Sequence, residues 1–96
     1  MDHEVISDGK TVWVNGADGM CIGRFSAAGV DVHRTSAEQI AGMPQCLDCC
    51  HDLPFAESWE YFKASMMRHY GIVVDERHRP TVGLWGKPIP KSAAVA

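Results

Sequence analysis

Four short stretches in the first third of the chain alternate between apolar and polar residues, and the first three are each followed by a turn-forming group. The first, HEVIS at 3–7, precedes Asp8-Gly9, a pair able to take the positive φ of a tight reversal. KTVWVN at 10–15 leads into Gly16-Ala-Asp-Gly19, MCIGRF at 20–25 into Ser26-Ala-Ala-Gly29, and VDVHRT at 30–35 follows. A period of two with glycine at the joints predicts an antiparallel β-meander.

Turns of even length would put Val12, Val14, Cys21, Phe25, Val30 and Val32 on one face. Trp13, Met20, Ile22, Arg24, Asp31 and His33 would then share the other. The first set is apolar enough to be the core, and the second is mixed. A slip of one residue would exchange the two sets.

The period then changes. TSAEQIAGMP at 35–44 reads as a short helix, with Thr35 or Ser36 capping it, Glu38 or Gln39 reaching back, and Gly42 and Pro44 ending it. PFAESWEYFKASMMRHYG at 54–71 reads as a long one, with Asp52 or Ser58 as candidate caps and Gly71 as its stop. Phe55, Trp59, Phe62, Met66 and Tyr70 fall within roughly 60° of one line on the helical wheel. That stripe is the natural cover for the valine face. Beyond Gly71, IVV at 72–74 can add a strand, DERHRP at 75–80 is a polar loop, and TVGLW at 81–85 can pair with an edge.

These elements predict an α+β fold: an antiparallel meander of four to five short strands packed by one long amphipathic helix, with a short helix and a Cys/His knuckle. With 96 residues, there is room for one core, expected over residues 1–86, with 87–96 as a flexible tail. The 46% hydrophobic and 22% charged content is that of a folded domain. The opening MDHEVISDGK has no basic and then apolar run, and nothing approaches the roughly 18 apolar residues of a membrane span. The expected location is cytoplasmic, with the thiols reduced.

Charge is distributed unevenly. Residues 1–60 hold three Lys/Arg against ten Asp/Glu, and residues 61–96 hold six against two. Arg68, Arg77, Arg79 and Lys87 are the groups a nucleic acid would meet, but they are thinly spread in a chain of net charge −3.

The densest chemistry is QCLDCCH, residues 45–51. Cys46 and Cys49 have the C-x2-C spacing that turns two sulfurs toward one ion, and His51 lies two residues further on. His33, at the end of the fourth strand, is the best fourth ligand, so the predicted set for a structural zinc is Cys46, Cys49, His51 and His33. Cys50 is adjacent to Cys49 and points away in an extended chain, and Cys21 falls on the core face. His69 and His78 could each replace a histidine of the set, and Asp31 or Asp48 could orient a ligand imidazole.

Against zinc stands the plain alternative of small buried cysteines, and against both stands thiol redox work by Cys46 and Cys49. That chemistry prefers a helix N-terminus in a βαβ setting, which the predicted meander lacks. A deaminase pattern fails as well, because Glu38 lies five residues from His33 rather than two and Gln45 separates Pro44 from Cys46. No phosphate loop or nucleophile elbow is present in the sequence.

The expectation is therefore a non-catalytic zinc-binding interaction or regulatory module, monomeric or homodimeric. Its partner is another protein rather than a membrane or nucleic acid, and Trp13, Tyr61 and Trp85 are the candidate contacts. Thiol redox activity is the alternative, and a nucleic-acid-binding zinc module is the third reading.

Overall fold

A computed structural model describes residues 3–83 and 85–89. Strands β1 (Glu4–Ser7), β2 (Thr11–Asn15), β3 (Cys21–Ser26) and β4 (Gly29–His33) are followed by helix α1 (Ser36–Ile40). Strand β5 (Cys46–Cys50), helix α2 (Phe55–Tyr70) and a 3-10 turn at Glu76–His78 complete the order. The five strands form one antiparallel sheet in the order β1-β2-β3-β4-β5. Every strand pairs with its sequence neighbour, as a meander requires.

Helix α2 covers one face of this sheet. Its Trp59, Phe62 and Met66 are fully buried against Val12, Val14, Phe25, Val30 and Val32. Phe25 is the centre of the aromatic packing, with ring centroids of Phe55, Trp59 and Phe62 at 5.4, 5.2 and 5.6 Å. Gly23 lets the helix approach closely: a Cβ there would lie 2.7 Å from Met66 Sδ. The helix ends where Gly71 takes φ 66° and closes the last turn. Its start has no side-chain cap, because Pro54 occupies the cap position and Ser58 Oγ donates to the Phe55 carbonyl instead. At α1 the cap is Thr35, paired with Glu38 in a reciprocal box.

Two details depart from simple alternation. A bulge between Val14 and Asn15 pairs Asn15 with Cys21 and skips Ile22. Ile22 is consequently in the core at 2% exposure, and Cys21 lies on the open face beside Trp13, the reverse of their expected places. An added residue in one strand rotates the side chains beyond it by one position. The other departure concerns the fifth strand, which is the cysteine stretch itself. Residues 72–74, the expected extra strand, belong to no strand and are anchored by buried Ile72 and Val74.

After the 3-10 turn the chain returns to the β1–β2 hairpin, where the Thr81 and Val82 amides donate to the Gly9 carbonyl. Val82 bridges Pro88 and the Ile89 amide donates to Thr81, so the first part of the expected tail pairs back on the domain. Residues 90–96 lie outside the described residues. Among those described, no helix is long and apolar enough to cross a membrane.

Candidate metal and thiol site

Strand β5 is an edge strand, and what holds it is a carboxylate. Asp48 lies opposite Val32 and faces α2, where its Oδ2 accepts from Ser65 Oγ at 2.7 Å, His69 Nε2 at 2.8 Å and Arg68 Nη2 at 3.1 Å. Burial opposes ionisation of this carboxyl, but hydrogen bonds from Ser65, His69, Tyr61 and Arg68 outweigh it and hold it below the ordinary aspartate value. Tyr61 is half-buried rather than exposed, and burial together with the nearby Asp48 charge raises its phenol above the ordinary value.

With Asp48 turned inward, its neighbour Cys49 must turn outward. Cys49 lies opposite Asp31, and a second bulge, between Val32 and His33, pairs His33 with Cys46 and skips Leu47. Regular alternation would have sent Cys46 to the side of Asp48. The bulge brings it to the side of Cys49 instead, and the two sulfurs are joined as a disulfide. The same-side placement expected of a knuckle is achieved here by a bulged strand. Two cysteines, His33 and Asp31 therefore occupy one patch of the face that α2 leaves open.

Within this patch the ligand atoms of Asp31, His33 and Cys49 all lie within 4.8 Å of one another. The structure thus contains a possible metal-ligating group. Asp31 is the most constrained member: its Oδ2 accepts from Arg24 Nη2 at 3.1 Å and its Oδ1 from His51 Nε2 at 3.0 Å, with only 16% of the side chain exposed. The His33 backbone is held from the opposite side, where Tyr70 donates its hydroxyl to the His33 carbonyl. Burial pushes the Tyr70 phenol above its ordinary value, which keeps it protonated as that donor.

The other predicted residues are dispersed. His51 is directed to Asp31, over Gly29, where a Cβ would meet the Cys50 carbonyl oxygen at 2.5 Å. Cys50 lies opposite Val30 and donates to Asp52 Oδ1. His69 is bound to Asp48, and His78 Nδ1 is 3.0 Å from Ser7 Oγ. Arg68 is bound to Asp48, Arg77 Nε donates to His78, and Arg79 lies over the Phe55 ring. Of the candidate contacts, Trp13 is half-buried on the open face and Trp85 is 91% exposed.

The expectation of reduced thiols meets a structure in which two of the four are bonded. Asp31 enters the group as a possible ligand rather than as a support for one. Its place was readable from the i, i+2 spacing with His33, whereas the bulge that delivers Cys46 left no mark in the sequence.

No protein-family model matches the chain, and no curated protein or solved structure matches it. Any functional reading therefore rests on its own residues.

Proposed function

We propose that the protein is a small metal-binding regulatory module whose site forms when the Cys46–Cys49 disulfide is reduced. The observation that carries this reading is the convergence of Asp31, His33 and Cys49 within 4.8 Å, with Cys46 bonded to Cys49 on the same face. A thiol reductant supplies two electrons and two protons, becoming a disulfide itself, and converts the Cys46–Cys49 bond to two thiols. A divalent ion then displaces the thiol protons and takes two thiolates, the His33 imidazole and an Asp31 oxygen. Two sulfurs, one nitrogen and one oxygen in a tetrahedron suit zinc.

Four protein ligands leave no open position for a reacting water, so the role of the ion is structural. It fastens the edge strand β5 to β4. His51 serves from outside the set, orienting the Asp31 carboxylate through its Nε2 hydrogen bond.

Native mass spectrometry of the chain reduced in the presence of zinc tests the reading. The expected result is one zinc per reduced chain, none on the oxidised chain, and loss of the ion in His33→Ala and Cys49→Ser. A reduced chain that takes up no zinc overturns it.

A second reading, thiol–disulfide exchange by the same pair, is favoured by one fact: both bonded cysteines are exposed on an edge strand. It predicts that the metal-free thiols reoxidise at a defined potential and reduce a small disulfide in solution.

A further inference from the structure

Beside the thiol patch, where the open face of the sheet meets α1 and the start of β5, lies a cavity of about 380 Å³. Its walls include Trp13, Arg24, His33, Arg34, Gln39 and Gln45, and among the described residues no carboxylate lines it. Two guanidinium groups line this concavity, and the carboxylates that pair with them, Asp31 and Glu38, stand outside its walls, so the surface it presents favours negative charge. Its volume falls at the lower end of the range of small-molecule sites.

An independent observation concerns Arg34. Its Nη1 donates to Glu38 Oε2 at 3.3 Å, but its Nε is shielded from solvent and has no hydrogen-bond partner among the described residues. A buried donor without an acceptor is costly, and because this one is closed to solvent it is the rest of the guanidinium that the cavity can present to a ligand. Gln39 spends its amide nitrogen on the Arg34 carbonyl at 2.9 Å, which fixes the backbone behind that guanidinium. On the other wall, Arg24 is oriented by Asp31. Trp13, paired with Arg24 across the β2–β3 ladder, contributes a flat apolar surface, since indole offers a large contact area at little conformational cost.

We propose that this cavity binds a small organic anion with a planar apolar body, its carboxylate or phosphate held between Arg34 and Arg24 and its ring against Trp13. Arginine matches both anions through paired N–H donors. The proposal does not rest on the metal reading. Because His33 borders both places, the test uses the oxidised chain, in which Cys46 and Cys49 cannot take a metal.

Benzoate and phenyl phosphate are the two anionic probes, benzamide the neutral isostere, and inorganic phosphate the anion without a ring. Titrations are followed by calorimetry and by the Trp13 indole N–H resonance. The expected result is saturable binding of benzoate or phenyl phosphate with the Trp13 signal shifted, and the stronger of the two assigns the anion class. Benzamide and inorganic phosphate should bind about tenfold more weakly or worse, and Arg34→Gln should lose about tenfold or more. Arg24→Gln, on the opposite wall, provides the same readout if Arg34→Gln does not fold. The proposal is overturned if neither anionic probe binds. It is equally overturned if benzamide or inorganic phosphate binds as well as the anionic probes, or if the folded arginine variants retain full affinity.

Discussion

Asp31 and Cys49 stand directly opposite one another across the β4–β5 ladder, on the side of the sheet that α2 leaves open. The same row continues through Arg24, Trp13 and Ile6, so one line of side chains crosses all five strands. The Asp31 carboxylate is aligned by its neighbours on both sides before any ion arrives, by Arg24 from β3 and by His51 from beyond β5. Pre-alignment of a ligand lowers the cost of binding, because the ordering entropy has already been met by folding.

Asp31→Asn should therefore weaken zinc binding to the reduced chain by about ten- to a hundredfold without unfolding it. His51→Ala should act in the same direction but less, since it removes only the orienting bond. Competition with a chromogenic chelator measures both, and equal affinity in Asp31→Asn would place the carboxylate outside the site.

Asp48→Ala removes the acceptor of Ser65, His69 and Arg68 together and leaves buried Ser65 unpaired. The expected loss is about 2–3 kcal/mol in urea unfolding. Because β5 is the strand released, its amides should exchange faster than those of β2 and β3, and the disulfide should be reduced more readily.

Gly29→Ala should be the most damaging of the glycine substitutions that face the site. Gly29 has φ 127°, and a Cβ there would lie 2.5 Å from the Cys50 carbonyl oxygen and 2.6 Å from the His51 ring. Backbone strain alone costs about 1–3 kcal/mol, and the clash displaces the end of β5. Thermal unfolding together with loss of the His51–Asp31 bond in NMR checks this. Gly9→Ala, in a turn with open space around it, should show the strain without the loss of that bond.

Acid should weaken the packing of the 3-10 turn on α2. Glu76 accepts from Lys63 and from Trp59 Nε1, and these bonds hold its carboxyl below the ordinary glutamate value although burial opposes them. A carboxyl whose folded value is depressed contributes stability that is present above its unfolded value and lost as pH falls through the folded one. On the alkaline side Lys63 behaves in the mirrored sense. Burial favours its neutral form, but Glu60 and Glu76 outweigh that and raise it, so its contribution is lost only as pH climbs past the ordinary lysine range. Urea midpoints from pH 3 to 7 should fall less steeply in Glu76→Gln than in the natural chain. Parallel curves would show that the pair contributes nothing.

The order of elements, the meander and the helix that covers it were legible from periodicity, because a period of two and a stripe at 3.6 leave few ways to bury Val12, Phe25, Trp59 and Phe62 together. The cysteine stretch was also conspicuous, and the placement of Asp31 and His33 on one face follows from their spacing alone. Which residues meet was decided elsewhere. The skipped Ile22 and Leu47 exchange the faces of Cys21 and Cys46, and neither bulge has a local signal, since each is a compromise between ladder register and core filling. The strand character of 46–50 likewise depends on Asp48 finding Ser65, Arg68 and His69 on a helix about twenty residues away. Local pattern sets what each segment can form. Long-range pairing selects which thiol faces which histidine, because only the packed sheet fixes register.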